Sequence, residues 1–312
     1  MSDQRRYLHY QRSEGSFFQW GEIESVNVRM PWWGKIAAKI ALSRLPFGYR
    51  MWRRIGLFRH GQMDDYEYAI NVFDNHVEKA SLLGRLSGKT IVELGPGDSV
   101  ATAVIASAHG ARAILVDSGP FVDEDVSSYL ELGNALSEKG LMLPREFSQC
   151  CTIDEILTCC DALYYCEGLV SLKRIKGDSI DLIFSQAVLE HVRKRDFAET
   201  VSECRRILRP TGICSHQVDL RDHIGGALNN LRFAENVWES ELFASSGFYT
   251  NRISFRRMME SFSREGFDAE CGEIKKWDVL PIQRDKIDEA LRASSDDDLC
   301  VAVFDVLLRP KQ

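Results

Sequence analysis

A short β-forming run delivers two glycines into a turn at residues 90–99, which read TIVELGPGDS. Gly95 and Gly97 would let a ligand approach the backbone, and the helix that follows would present free N–H donors at its N-terminus. Glu93 adds a carboxylate just before the glycines. This segment therefore predicts a small-ligand site at the end of a strand.

The details of the turn favour one class of ligand over another. A dinucleotide site needs a third glycine or alanine, but that position is Val100, which would crowd the close helix contact. Glu93 would also place a carboxylate where a pyrophosphate has to lie. A cationic ligand, such as the methionyl ammonium of a sulfonium cofactor, suits this charge better. A dinucleotide oxidoreductase is the less favoured interpretation.

Residues 93–97, ELGPG, resemble the first motif of class I S-adenosylmethionine-dependent methyltransferases. The resemblance implies S-adenosyl-L-methionine as cofactor, with the acidic residue near its amino-acid part. In this family an acid ends the second strand and suits the two ribose hydroxyls; here that acid is Asp117, although a role as cap of the next helix stays open. The cofactor-binding residues implied in this part of the chain are Glu93, Gly95, Pro96, Gly97, Asp98, Asp117 and Ser118.

Two later blocks extend the resemblance over about residues 89–219. Residues 178–192, DSIDLIFSQAVLEHV, resemble the family's fourth strand and its LEHV helix start. Residues 204–212, CRRILRPTG, resemble the R-x-L-x-P-G-G turn into the fifth strand, with Thr211 replacing the first glycine. In overall layout the chain resembles methyltransferases associated with bacterial surface-polysaccharide biosynthesis. The further cofactor contacts implied are Glu167, Gly168, Ser185 and Gln186.

Histidines and acids cluster at residues 214–223, CSHQVDLRDH, near the end of the predicted fifth strand. Open α/β sheets bind ligands at this edge, and a histidine of near-neutral pKa can remove a proton from an acceptor hydroxyl. We predict His216 as the general base, with Asp219 and His223 as neighbours that could orient it. His191 is a further catalytic candidate. A purely structural role for His216 and His223 stays open.

Metal binding is not expected from the candidate ligands. Some relatives bind metal through E-x-x-E-H, but Ala187 occupies the first glutamate position here. The cysteines at 150–151 and 159–160 are adjacent pairs rather than the C-x-x-C knuckle of zinc sites, so we interpret them as small core residues. The nine cysteines, an odd number, fit a reducing compartment.

From residue 89 onwards, short β-rich runs alternate with helical ones. This order predicts an α/β fold with a Rossmann-like, mostly parallel sheet of seven strands, the last antiparallel, and helices on both faces. The methyltransferase domain would cover residues 86–312, with an insertion at about 221–252. Predicted strands cover residues 90–94, 113–117, 162–166, 180–185, 212–219, 269–277 and 300–308. Predicted helices cover residues 99–109, 127–139, 153–159, 195–208 and 255–265, and residues 296–298 form an acidic turn.

Residues 1–85 form a predicted helical, basic extension or cap. No acidic residue occurs between Ser25 and Met63, so this segment carries +8 and the rest carries −15 of the formal net charge of −7. An apolar helix face would be made by Trp32, Trp33, Ile36 and Ile40. This composition predicts either peripheral membrane association through residues 29–59 or packing of the segment on the catalytic domain as a lid.

The sequence contains no run of about 18 apolar residues and no apolar leader near its start, which predicts a cytoplasmic protein, with peripheral attachment at the inner face of the membrane left open. The expected reaction is O-methylation of a sugar or glycan-related acceptor. Another small molecule or a lipid or quinone is the alternative. RNA is the third alternative, because the basic stretch could bind phosphates, but at a net charge of −7 no nucleic-acid partner is expected. A non-catalytic binding module is disfavoured because the cofactor loop is complete.

Overall fold

The computed structural model describes residues 7–10, 31–42 and 65–312. These residues form a single mixed β-sheet covered by helices. The strands are β1 Tyr7–Tyr10, β2 Thr90–Leu94, β3 Arg112–Val116, β4 Leu163–Tyr165, β5 Ile180–Gln186, β6 Leu208–Asp219, β7 Phe267–Trp277 and β8 Val301–Pro310. The helices are α1 Trp32–Leu42, α2 Tyr66–Lys79, α3 Ala101–Ala108, α4 Ser127–Glu138, α5 Ile153–Cys159, α6 Leu169–Arg174, α7 Lys194–Ile207, α8 Glu235–Trp238, α9 Glu241–Ala244, α10 Phe255–Arg264 and α11 Asp296–Leu299.

The strand order across the sheet is β1-β7-β8-β6-β5-β2-β3-β4. Strands β2 to β6 are parallel, so their carboxyl ends meet at one edge, where a ligand site is expected. Strand β8 runs antiparallel to both β6 and β7, as predicted for the last strand. The predicted Rossmann-like sheet of seven strands is confirmed, and β1 adds an eighth at the edge, parallel to β7. The extension predicted to be helical thus also contains a strand.

Apolar cores lie on both faces of the sheet because the central strands bury alternate side chains on each side. In β2, Ile91 belongs to the core formed with α2, α3, α4 and α5. Its neighbour Val92 belongs to the core formed with α7 and α10. Strand β5 alternates in the same way, with Leu182 in the first core and Ile183 in the second. The two cores hold the strand ends rigidly at the ligand-binding edge.

The start of β6 differs from the prediction, which placed it at Gly212. The strand begins at Leu208, and a register shift opposite Ile180 and Leu182 accommodates the extra residues. A Cβ atom at Gly212 would lie 2.9 Å from the carbonyl oxygen of Ile180. The glycine is required at this irregularity because the two backbones approach each other closely.

The prediction that the LEHV segment starts a helix is wrong. These residues form a turn, and α7 begins only at Lys194. The side-chain amide of Asn251 donates to the carbonyls of Leu189 and Val192, at 2.8 and 3.0 Å, which a helix would use internally. The turn also opens with Ala187 at a φ of +53°, outside the helical region. A contact 60 residues away in the sequence therefore overrides the local pattern.

The segment between β6 and α10 corresponds to the predicted insertion at 221–252 and contains α8 and α9. Its aromatic side chains form a separate apolar cluster with α1, and Trp238 and Phe248 are fully buried there. Ile36 of α1 is 7% exposed in this cluster. Helix α1 of the basic extension is thus packed on the insertion, whereas α2 belongs to the core on one face of the sheet. None of the helices within the described ranges is long and apolar enough to cross a lipid bilayer.

Candidate active site

The loop between β2 and α3 has the backbone form of a ligand cradle. Gly95 and Gly97 take φ values of +68° and +67°, where other residues are strained. A Cβ atom at Gly95 would lie 2.5 Å from a methyl carbon of Val188. Pro96 and Asp98 are buried in the same turn. The backbone conformation of the loop therefore requires these glycines. Gly95 also lets the loop pack closely against Val188, in the turn that follows β5.

Glu93 gives this cradle a buried carboxyl group. The residue is 3% exposed, and among the described residues its Oε2 has no hydrogen-bond partner. Burial raises the pKa of Glu93 to about 8, and the nearby charge of Asp117 acts in the same direction. A cationic group placed against Glu93 would restore its ionised form. This unsatisfied acid fits the ammonium group of S-adenosylmethionine.

Asp117 follows β3 and closes the cradle from the other side. Its Oδ2 accepts from the amide of Gly97 at 2.9 Å, and its Oδ1 accepts from the amide of Ser118 at 2.6 Å. Burial raises the pKa of Asp117 to about 6, although these hydrogen bonds oppose the rise. Oδ1 also accepts from the hydroxyl of Ser118 at 3.4 Å, whereas Oδ2 can accept a further hydrogen bond from a ligand hydroxyl. Asp117 thus connects the glycine loop to the end of β3 by a hydrogen bond.

The turn after β4 lies directly beside Asp117. Gly168 takes a φ of +53°, and its amide donates to the carbonyl of Asp117 at 2.7 Å. The carboxylate of Glu167 pairs with Arg174 at 2.5 Å and is half exposed. The structure thus brings the backbone of residues 167–168 to the cradle, while it directs the Glu167 carboxylate towards α6.

Side chains at the ends of β5 and β6 form two buried hydrogen-bonded groups. Ser185 Oγ lies 2.8 Å from Nδ1 of His216. Gln186 contacts Nε2 of His76 at 3.1 Å and donates to Gln217 at 2.6 Å. Burial lowers the pKa of His76 to about 4, so this imidazole is neutral at physiological pH. Ser185 and Gln186 therefore belong to a hydrogen-bonded polar layer at the ends of β5 and β6.

The structure does not bring His216 together with the two residues predicted to orient it. Asp219 instead forms a two-pronged ion pair with Arg221, with contacts of 2.9 and 2.6 Å. His223 contacts a different histidine, described below. His216 is 2% exposed, and burial, followed by the charge of His76, lowers its pKa to about 3. An imidazole in these surroundings is a poor proton acceptor at neutral pH, so the alternative of a structural role for His216 accounts better for its contacts.

His191 and His223 form a pair that the sequence did not predict as a unit. Their rings stack with centroids 4.8 Å apart, and the two Nε2 atoms lie 3.2 Å apart. His191 Nδ1 lies 2.8 Å from the carbonyl oxygen of Tyr249, which can only accept, so Nδ1 carries the proton. In the neutral state His191 Nε2 then accepts from Nε2–H of His223, which leaves the lone pair of His223 on Nδ1.

The His191–His223 pair can take up one proton. Burial lowers the pKa of His191 below its ordinary value of 6.5, so this ring remains neutral and accepting at pH 7. If His223 gains a proton on Nδ1, its Nε2–H continues to donate to His191. The carbonyl of Tyr249 fixes the ring of His191 throughout. The arrangement suits a general base at the carboxyl edge of the sheet.

Three residues that shape the site escaped the sequence reasoning: His76, Tyr249 and Asn251. His76 belongs to the buried face of α2, with Ala69, Phe73 and Val77, so its helical spacing could have identified it. Tyr249 acts through its backbone carbonyl, which leaves no trace in the residue type. Asn251 is fully buried and binds the turn after β5. No sequence motif predicts this role.

The described residues contain no group of three or more His, Cys, Asp or Glu side chains that could hold a metal ion. Cys150 and Cys160 are buried, whereas Cys159 is partly buried and Cys151 is exposed. Burial raises the pKa of Cys160 to about 12, so its thiol stays protonated at neutral pH. Cys150 and Cys160 thus have the surroundings of core residues, and Cys151 does not.

Part of the chain matches a known protein family. The methyltransferase-domain family matches residues 147–215, from the turn before α5 to the middle of β6. No curated protein sequence matches this chain. The match covers about a fifth of the chain and, with the Rossmann-like sheet, indicates an S-adenosylmethionine-dependent methyltransferase whose cofactor is S-adenosylmethionine.

Among solved structures, the chain is similar to proteins from several organisms. The YcgJ protein from Bacillus subtilis shares 15% identity over 76% of this chain and 100% of that one, with a TM-score of 0.39. A SAM-dependent methyltransferase from Archaeoglobus fulgidus shares 10% identity over 76% and 93%, with a TM-score of 0.40. For phosphoethanolamine N-methyltransferase 2 from Haemonchus contortus the identity is 15% over 75% of this chain and 52% of that one, with a TM-score of 0.38.

Proposed function

We propose that the chain methylates a hydroxyl oxygen of a sugar or glycan-related acceptor. The observation that supports an oxygen acceptor is the His191–His223 pair, because a hydroxyl must lose a proton as it gains a methyl group. The preference for a glycan rests on the resemblance to methyltransferases of surface-polysaccharide biosynthesis. A small-molecule, lipid or quinone acceptor is the alternative, to be separated by experiment.

The cofactor would be held by the cradle at the ends of β2, β3 and β4. Glu93 would face the ammonium group, and Asp117 would accept from the ribose hydroxyls. Gly95 and Gly97 would let the cofactor approach the protein backbone. Gly168, whose amide donates to the carbonyl of Asp117, would lie near the adenine. S-Adenosylmethionine supplies an electrophilic methyl group on a sulfonium, so no covalent intermediate with the protein is needed.

The chain's own contribution to the reaction is to position the acceptor and to take its proton. We assign the His191–His223 pair as the group that receives the hydroxyl proton. The positive charge that forms on His223 is stabilised by Nε2 of His191, 3.2 Å away. His191 keeps its orientation because Tyr249 O accepts from its Nδ1 at 2.8 Å. The proton leaves to solvent when the product dissociates.

Incubation with methyl-labelled cofactor and a fractionated cell extract tests this proposal. We expect label on a hydroxylated metabolite, identified by mass, and no label with the Asp117→Ala variant at limiting cofactor. That variant should bind cofactor about ten- to a hundred-fold more weakly, since it loses a charged hydrogen-bonding partner. Label on a quinone or lipid would favour the alternative acceptor. Unchanged cofactor affinity by calorimetry would remove Asp117 from the site.

Peripheral membrane association through residues 29–59 remains a prediction. Most of that segment lies outside the described residues. Within α1, Trp32, Ile36 and Ile40 pack against the insertion, which supports the alternative of a structural lid. Trp33 is the exception, with 62% of its surface exposed. We favour the lid, and vesicle binding tests the choice.

A further inference from the structure

A small polar cavity of about 40 Å³ lies beyond the end of β6, beneath the insertion. Its polar lining includes Glu190, Asn230, Arg252 and Ser254. A bound water needs about 10–15 Å³ measured in this way, so the space holds two or three atoms of that size. We call this space the Arg252 cavity. Its lining differs from that of an ordinary core void because each of these four residues has a buried polar side-chain atom without a hydrogen-bond partner among the described residues.

Arg252 and Asn230 each use part of their hydrogen-bonding capacity elsewhere. The guanidinium Nη1 of Arg252 donates to the carbonyl of Phe233 at 2.6 Å, and Nη2 donates to Glu235 at 2.5 Å. Asn230 Nδ2 donates to Thr250 Oγ1 at 2.9 Å. Among the described residues, Arg252 Nε and Asn230 Oδ1 have no partner, although the two residues are only 9% and 2% exposed. One donor and one acceptor are thus left at the cavity.

Ser254 occupies the N-cap position of α10, where a serine hydroxyl ordinarily accepts from the helix backbone. Asp298 takes that role instead, since its Oδ1 accepts from the amide of Arg256 at 2.8 Å. Within the part of the chain that the structure describes, the hydroxyl of Ser254 therefore has no partner. It adds a group to the cavity that can both donate and accept.

Glu190 completes the lining and is 1% exposed. Neither of its carboxyl oxygens has a partner in the described ranges. Burial, followed by the charge of Asp219, raises the pKa of Glu190 well above its usual value, which favours the protonated, neutral form of the group. The charge of Arg252 is already balanced by Glu235. The cavity is thus rich in hydrogen-bonding groups and has no uncompensated charge.

The Arg252 cavity lies next to the His191–His223 pair through shared backbone. Glu190 immediately precedes His191, and the carbonyl of Glu190 accepts from the amide of Asn251 at 2.7 Å. Tyr249, which orients His191, lies two residues before Asn251 in the same strand of chain. A molecule that presents one hydroxyl to the histidine pair could therefore extend another into the cavity.

We propose that the Arg252 cavity is an acceptor subsite that binds a neutral hydroxylated arm, such as the hydroxymethyl or vicinal diol of a polyol. Asn230 Oδ1 requires a donor and Arg252 Nε requires an acceptor, and a hydroxyl group supplies both. A quinone offers only acceptors and would leave Asn230 unsatisfied. The inference rests on the proposed methyl transfer, because it names the acceptor class of that site.

Glycerol and 1,3-propanediol are suitable probes because they differ only in the middle hydroxyl. Each is titrated into the ¹⁵N-labelled full chain saturated with S-adenosylhomocysteine, and backbone amide shifts are followed. We expect saturable shifts at Asn251 and Ser254 with glycerol, and about three- to tenfold weaker binding of 1,3-propanediol. Ser254→Ala should weaken glycerol binding by a similar factor. Ser261→Ala, a buried serine on the same helix outside the cavity, is the matched control and should bind normally.

The outcomes separate this inference from the proposed function. If S-adenosylhomocysteine raises the thermal midpoint but glycerol gives no saturable shifts, or binds Ser254→Ala as well as the parent, the cavity holds only solvent and the inference is overturned. If glycerol binds as expected but S-adenosylhomocysteine does not, the methyltransferase proposal fails while the polyol site stands. Once the acceptor is known, Ser254→Ala should raise its KM with kcat and the cofactor KM nearly unchanged.

Discussion

The cofactor side and the acceptor side of the candidate site are assembled over very different distances in the sequence. On the cofactor side, Glu93 and the two glycines lie within five residues, and Asp117 closes the loop from twenty residues away. On the acceptor side, His191 contacts His223 across 32 residues and Tyr249 across 58. The cofactor cradle is a local property of one strand and its turn, whereas the histidine pair exists only when the insertion has docked.

The two sides also differ in how burial acts on their titratable groups. Burial raises the pKa of Glu93 and Asp117, which prepares acids that a cationic ligand can ionise. It lowers the pKa of His191, which keeps this ring neutral so that its Nε2 can accept from His223. Loss of solvent thus disfavours the charged form on both sides: Glu93 keeps its proton until a cation binds, and His191 stays neutral.

The largest expected effect on turnover comes from replacing His223 on the acceptor side. His223→Asn should lower turnover by about 10² to 10⁴, the usual contribution of a general base, with cofactor affinity unchanged. His216→Asn is the matched control, because His216 is the base that the sequence predicted and the structure places it in a buried contact with Ser185. We expect His216→Asn to reduce thermal stability more than turnover. Steady-state kinetics and calorimetry on both variants measure this.

The opposite result would reverse the assignment. If His216→Asn loses turnover by that factor while His223→Asn stays within a few-fold, His216 is the base and the pair of histidines is structural. If both variants keep turnover, positioning alone carries the reaction.

Breaking the cofactor side should have the next largest effect. Gly95→Ala adds a Cβ atom 2.5 Å from Val188 at a φ of +68°. Gly84→Ala is the matched control, because its φ of +70° carries the same backbone strain with no atom within 4 Å of the added Cβ. We expect Gly95→Ala to lower the free energy of unfolding by about 1–3 kcal/mol more than Gly84→Ala, the usual effect of overpacking. Equal denaturation midpoints for the two variants would show that the loop yields without loss.

The contrast between the two sides explains what the sequence could predict. Local patterns predict the sheet, its antiparallel last strand and the cradle at Glu93–Gly97. Strands and glycine turns depend mainly on residues that are adjacent in the sequence. The LEHV segment predicts a helix but forms a turn, because the side chain of Asn251 binds its carbonyls. The position of His216 near a strand end predicts a base, but its burial and its hydrogen bond depend on the packing of β5 and α2. Contacts made by an insertion of no recognisable pattern could not be deduced.

The pH dependence of cofactor affinity tests the role of Glu93 on the cofactor side. The pKa of Glu93 is about 8 in the free protein, so the proton must leave before the carboxylate pairs with a cation. Cofactor affinity should therefore rise between pH 6 and pH 7.5, by about tenfold if binding lowers this pKa below 6. In Glu93→Gln the affinity should be lower and should change only weakly over this range, through Asp117, whose pKa is about 6. Calorimetry with S-adenosylhomocysteine measures both, and a flat profile in the parent protein would remove Glu93 from contact with the ammonium group.

The smallest expected effect concerns α1, which joins the acceptor side through the insertion. Trp32 packs edge-on against Phe233 at 6.0 Å, whereas Trp33 is 62% exposed. Since the insertion already uses three of the four apolar side chains, we expect the protein to stay in the supernatant with phosphatidylserine vesicles at low and high salt. Trp33→Ala should then change the free energy of unfolding by no more than about 0.5 kcal/mol, and Trp32→Ala by clearly more. Cosedimentation at low salt that is lost at high salt and weakened by Trp33→Ala would instead support a membrane-bound segment, because an exposed tryptophan beside basic residues is suited to the headgroup boundary.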